Sequence, residues 1–235
     1  MVCKLRSQIP SANRAPLTFR CQNIYARNFI HPMSKSLLFV LAFCCLFASA
    51  HAADGDDALF GLKWGMSVAE FKTAGVILTK LRGERNLETY KALSVPKPLS
   101  DVETYMFVFA DGRLVKMSAI GKAIVGDPTG STGKEKFDTL HKALNEKYGK
   151  PTQNYQSIGN KLYKEYDEFY QCLAYSGCGM WVSVFESPDK AIFIELKGSR
   201  RGTGQLEVTA ESKPQWMNAL DVYKSGKASS DKDAL

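Results

Sequence analysis

Three short stretches of this 235-residue chain hold side chains that could act on a ligand. The first places Glu165, Asp167 and Glu168 among Tyr163, Tyr166, Phe169 and Tyr170. Paired carboxyls beside aromatic rings are what sugar hydrolysis uses, one as proton donor and one as base or nucleophile. Read as a strand over 163–172, neighbouring acids point to opposite faces, so only Glu165 and Asp167 share one. The plainer reading has the acids in water and the rings packed.

The second stretch, Lys197-Gly198-Ser199-Arg200-Arg201-Gly202-Thr203-Gly204, is a glycine-rich turn with clustered cations. Lys197, Arg200 and Arg201 are the candidate ligand-binding residues, because forked guanidinium donors and free backbone N–H groups suit a carboxylate or phosphate. A solvated hairpin loop explains the same letters.

In the third, Gly126-Asp127-Pro128-Thr129-Gly130-Ser131-Thr132-Gly133-Lys134-Glu135 approaches a phosphate-binding loop. It departs twice, with Pro128 at the first glycine and Glu135 where a metal-binding hydroxyl belongs. Ser131 and Lys134 also spell S-x-x-K, without the S-D-N and K-T-G companions that penicillin-recognising enzymes need. The segment reads as a flexible approach to a helix with Thr132 as N-cap.

Beyond residue 52 the only histidine is His141, on the apolar side of a periodic helix, where a structural role outweighs a catalytic one. Zinc sites built on histidine lack a second ligand. No catalytic residue, metal ligand or cofactor is assigned.

Export organises the rest. Met33 opens a segment with Lys35 as its positive end and Leu37 to Phe47 as an apolar run, followed by Ala48-Ser49-Ala50-His51-Ala52. That is a signal peptide over 33–52, cleaved after Ala50 or Ala52, and too short to span a membrane. Residues 1–32 are an upstream extension, and translation is expected to begin at Met33. Residues 1–50 hold six of the 31 basic residues and no acid, leaving 25 basic against 24 acidic beyond them. Six of the seven net positive charges therefore belong to the leader, and nucleic acid, which needs a clustered basic surface, is not an expected partner. Only Cys172 and Cys178 survive cleavage, and an even pair in an exported chain reads as a disulfide.

Residues 53–225 are long enough for one domain with a full core, and no internal repeat is visible in them. Ser67 and Glu70 form a capping box ahead of a short helix ended by Gly75. Asp111-Gly112 joins Thr104–Ala110 to Arg113–Ile120 as a hairpin with a type I′ turn, Phe109 opposite Leu114 and Val108 opposite Val115. Phe137, Leu140, His141, Leu144 and Tyr148 mark a helix over 134–148, stopped by Gly149 and Pro151. Strands are expected at 76–81, 87–93, 163–172, 180–185, 191–196 and 205–210, the last alternating Leu206, Val208 and Ala210 with polar residues. A closing helix starts near Pro214, and residues 226–235 form a disordered tail. Consecutive strands with few helices imply an α+β fold, a mostly antiparallel sheet with helices packed on one face.

The opening Phe60-Gly61-Leu62-Lys63-Trp64-Gly65-Met66-Ser67, the Asp-Gly hairpin and a helix ending in Lys147-Tyr148-Gly149-Lys150-Pro151 resemble exported bacterial α+β proteins with no assigned function. The resemblance covers the first half of the mature chain and implies fold and export, with no catalytic residue. The expected function is a periplasmic or secreted binding or inhibitory module, immunity-like or envelope-accessory, whose partner is a protein or envelope ligand. The alternative is a cell-envelope glycan or peptidoglycan hydrolase using the paired carboxyls.

Overall fold

The computed structural model describes residues 57–160 and 162–233. The expected signal peptide over 33–52 and the expected upstream extension over 1–32 lie outside the described residues. The described residues form an α+β domain, with nine strands in one mostly antiparallel sheet and four helices among them.

The segment before the first helix sends Phe60, Leu62 and Trp64 into the core, with Phe60 edge-on to Tyr105 at 5.1 Å. It is stitched to the sheet by Gly65 N–H to the Leu114 carbonyl at 3.0 Å and Leu114 N–H to the Met66 carbonyl at 2.9 Å. The expected capping box of Ser67 and Glu70 then starts α1 (Val68–Thr73). Gly75 leaves it in the left-handed region, φ +79°, which only glycine enters cheaply. Phe71, the one buried residue of α1, meets Phe107 at 5.0 Å and Phe109 at 5.2 Å.

Strands β1 (Thr79–Glu84), β2 (Leu87–Ala92), β3 (Val102–Ala110) and β4 (Arg113–Gly121) form a meander. Asp111 (φ 47°) and Gly112 (φ 75°) make the β3–β4 turn with positive φ at both corners, as expected of Asp-Gly. Phe109 faces Leu114, but Val108 faces Lys116: a bulge at Val115 shifts the register by one. The short β5 (Ile124–Val125) follows, then α2 (Ser131–Tyr148), three residues longer at its start than the apolar spacing marks. Next come β6 (Gln153–Ser157), α3 (Phe169–Ala174), β7 (Met180–Glu186), β8 (Lys190–Arg200), β9 (Thr203–Ser212) and α4 (Lys213–Asp233).

The spatial order is β1-β2-β3-β4-β9-β8-β7-β6, with β5 on the end of β9. Each half is a helix followed by four strands paired in chain order, α1 before β1–β4 and α2 before β6–β9, the second set interrupted by α3 between β6 and β7, and the halves meet where β4 pairs β9. That repeat is one of topology; the sequence carries too little of it to be seen.

Strand registers sort side chains onto two faces. Tyr105, Phe107, Phe109, Met117, Val208, Ala210, Ile192, Ile194 and Phe185 share the face that forms the core. Phe71 of α1, Phe137 and Leu144 of α2, and Phe169 and Tyr170 of α3 belong to the same cluster. Helix α4 breaks the expectation of helices on one face. Its Trp216 and Ala219 pack with Leu87, Val108 and Val115 in a separate cluster, and the registers put Leu87 and Val108 on the opposite face. Helix α4 also continues to Asp233, over a tail expected to be disordered. Extending an anchored helix needs no new nucleation, so a polar run with Lys and Ala can follow.

The expected strand over 163–172 is replaced by a loop and α3, while β6, in a polar stretch with little periodicity, went unforeseen. Cys172 of α3 and Cys178, just before β7, are bonded, with Cα atoms 5.1 Å apart. The bond ties a helix to the start of a strand, where two strands were expected. Replacing both cysteines by alanine should lower stability by about 2 kcal/mol, the chain-entropy value for so short a loop. Urea unfolding checks the magnitude, and a non-reducing intact mass short by two hydrogens checks the bond.

Candidate functional site

The face of the sheet away from the core carries a shallow groove of about 410 Å³. Its lining follows from period-two alternation: Lys116 on β4, Glu207, Thr209 and Glu211 on β9, Phe193, Glu195 and Lys197 on β8, Met180, Val182 and Val184 on β7, Gln153 and Tyr155 on β6. The registers confirm a single face, with Lys116 opposite Glu211, Phe193 opposite Thr209, Glu195 opposite Glu207, Val182 opposite Glu195 and Tyr155 opposite Val182.

The groove has two chemical halves. Toward β6 it is apolar: Tyr155, Met180, Val182, Val184 and Phe193. Toward β4 it is a ladder of paired polar groups. Lys116 Nζ lies 2.7 Å from Glu211 Oε1 and 5.0 Å from the centre of the Trp216 ring, so α4 bounds this end. Ser118 and Thr209 hydroxyls share a hydrogen bond of 2.8 Å, and Thr209 donates to Glu207 at 3.2 Å. Lys197 Nζ closes the ladder at 2.6 Å from Glu207 and 3.5 Å from Glu195. Burial alone would pull the Lys197 ammonium down, yet Glu207, helped by Glu195, leaves its pKa above the ordinary lysine value. Two lysines stand against three glutamates, so the groove keeps one uncompensated acid.

The ligand-binding candidates are dispersed. Lys197 belongs to the groove, while Arg201 on the β8–β9 turn pairs with Asp167 and Arg200 is exposed at the end of β8. The candidate carboxyls are dispersed too. Glu165 is exposed, Asp167 is taken by Arg201, and Glu168 precedes α3 with Oε2 accepting from the Glu165 N–H at 3.1 Å.

The phosphate-loop look of 126–135 has another cause. Asp127 is buried, and its carboxylate accepts from Gly133 N–H at 3.0 Å, the Ser131 hydroxyl at 3.0 Å and the Tyr170 hydroxyl at 2.9 Å. Thr132, expected as N-cap, is inside the helix; Gly130 holds that position in the left-handed region with no side-chain cap, and Asp127 reaches across to serve the orphan N–H groups. Tyr170 is fully buried in a glycine socket. A methyl at Gly133 or Gly204 would strike its side chain, and one at Gly198 its carbonyl oxygen. Glycines from both segments, Gly133 in one and Gly198 and Gly204 in the other, thus make room for one tyrosine. Lys134 points elsewhere, donating to the Thr129 carbonyl at 3.0 Å with its Nζ 4.2 Å from the Phe169 ring centre. His141 is half-buried between the rings of Phe137 at 6.0 Å and Phe185 at 5.8 Å, as its place on the helix stripe implied.

Among the described residues no cluster of three His, Cys, Asp or Glu is arranged to hold a metal, and no helix is long and apolar enough to cross a membrane. Comparison of the chain with protein-family models, with curated proteins and with solved structures found no match.

The groove itself was partly visible beforehand. The alternation of Gln205, Glu207 and Thr209 with Leu206, Val208 and Ala210 marks a water-facing side of that strand in the sequence; joining it to Phe193 and Tyr155 requires the strand order.

Burial pushes the Asp127 carboxyl up, but the hydrogen bonds from Gly133, Tyr170, Ser131 and Thr132 together hold it below its ordinary value. A depressed folded value stabilises above the unfolded aspartate pKa of about 3.9 and is lost as pH falls through the folded one. D127A should therefore lower stability by about 3 kcal/mol at pH 7, the sum of a lost cap and lost charged hydrogen bonds. Urea midpoints of the two proteins should draw together as pH falls below the unfolded aspartate value and through the lower folded one, where the native carboxyl loses its charge.

Proposed function

We propose that this protein is an exported, non-enzymatic binding or inhibitory module that holds an extended segment of a partner protein across the open face of its sheet. The observation that carries the reading is the groove: exposed, shallow and divided into an apolar half and a paired-charge half. Small-molecule sites enclose most of their ligand's surface. A trough that covers a ligand from one side suits a polypeptide instead, whose remaining surface belongs to a larger body. The apolar half takes alternate apolar side chains, and the uncompensated acid favours a Lys or Arg on the ligand beside Glu195.

Export to the periplasm or medium is supported by the leader, by the disulfide and by the resemblance of the opening to exported bacterial proteins. Binding is favoured over glycan hydrolysis because Asp167 is engaged by Arg201 and Glu165 stands in solvent. A general acid needs a sheltered carboxyl facing a second one.

Titrating the isotope-labelled protein with fractionated envelope extract and following amide shifts tests the proposal. Shifts should concentrate on Val182, Phe193, Glu195 and Thr209, and F193K should weaken binding by about tenfold or more while keeping the urea midpoint near that of the parent. Turnover of purified peptidoglycan with no shifts on these residues would transfer the function to the hydrolase reading.

A further inference from the structure

The two edges of the sheet are built differently. Strand β1 is guarded: it carries Lys80, Arg82 and Glu84, a bulge interrupts its pairing between Lys80 and Arg82, and Tyr223 of α4 donates to Glu84 at 2.8 Å. Charges and bulges are the usual defences of an edge against further pairing. Strand β6, Gln153-Asn154-Tyr155-Gln156-Ser157, has none of them. It carries no charge and no proline, all five residues are exposed, and its pairing with β7 runs without a register shift. Among the described residues no strand pairs with its other side.

We propose that β6 is the self-association edge of this protein, pairing antiparallel with β6 of a second copy about a two-fold axis through Tyr155. The strand complements itself in that register. Gln153 faces Ser157 of the second copy and Asn154 faces Gln156, so no like charges meet and amides and hydroxyls oppose one another. At the axis Tyr155 faces its own copy, and aromatic pairs are favourable across strands. The mature chain is nearly neutral, with 25 basic against 24 acidic residues beyond residue 50, so long-range repulsion between copies is small.

The pairing also changes the groove. Tyr155 lines its apolar end, so the two-fold brings two apolar ends together. The result is one trough with an apolar middle and a paired-charge ladder at each end. The inference does not depend on what the groove holds.

Sedimentation of the purified protein over a wide concentration range should show a reversible monomer–dimer equilibrium. Y155K places like charges across the axis and should weaken the dimer by about tenfold or more. Facing residues on antiparallel strands have Cα atoms about 4.5–5.5 Å apart, within disulfide range. Y155C should therefore cross-link two copies under mild oxidation, while Q153C, which faces Ser157, should not. A chain that stays monomeric to near-millimolar concentration overturns the proposal, as does a dimer indifferent to Y155K or equal cross-linking by Q153C. Capture of another protein's extended peptide on β6 by a monomeric chain overturns it equally.

Discussion

The hydrogen bond from the Tyr170 hydroxyl to the Asp127 carboxylate joins the start of α2 to α3 across 43 positions of sequence. Asp127 caps α2, Tyr170 belongs to α3, and of the β8–β9 hairpin Gly204 walls the tyrosine ring while Gly198 lies against its backbone carbonyl. A buried carboxylate is tolerable only when its lone pairs are filled, and here hydroxyl and amide donors fill them. A buried phenol likewise needs an acceptor. Each group answers the other's requirement, so α2, α3 and the hairpin are positioned together. With α3 fixed, Cys172 comes within reach of Cys178 and β7 starts where β6 can pair with it.

The open face follows from how few helices the described residues form. Three cover one side of the sheet, and α4 touches the other only at the corner formed by Leu87, Val108 and Val115. The remainder of that side must meet water or a partner. Its answer is mixed: Val182 and Val184 stay buried by their neighbours, while Glu207 and Glu211 are shielded by Lys197 and Lys116. Exposed ion pairs add little stability, but pairs locked across three strands fix where each charge stands, which is what a recognition surface requires.

Local signals in the sequence were the most legible. The Ser67–Glu70 capping box, the Asp111-Gly112 turn, the stripe ending at Tyr148 and the pairing of Cys172 with Cys178 all depend on residues close together in the chain, and each is present. What depended on distant residues was misread. Aromatic spacing around Tyr170 suggested a strand because its true partners, Asp127 and Gly204, are far away in sequence. The glycines at 133, 198 and 204 looked like ligand loops for the same reason. A clue existed: Gly198 and Gly204 sit symmetrically about the β8–β9 turn and so face each other, and facing glycines in a hairpin mark a close approach by something bulky.

The meeting of β4 with β9 bears on how the molecule comes into being. Strands β1 to β4 pair between neighbours along the chain, as do β6 to β9, but Lys116 meets Glu211 across 95 positions. Local hairpins close in microseconds, whereas ends so far apart must first surrender the entropy of the loop between them. A chain emerging in order would hold the first meander with β4 unpaired on one side until nearly all the rest had followed. During that interval Met117 and Ala119 of β4 lack their neighbours Ala210 and Val208, and a vacant strand edge beside them is an invitation to wrong partners.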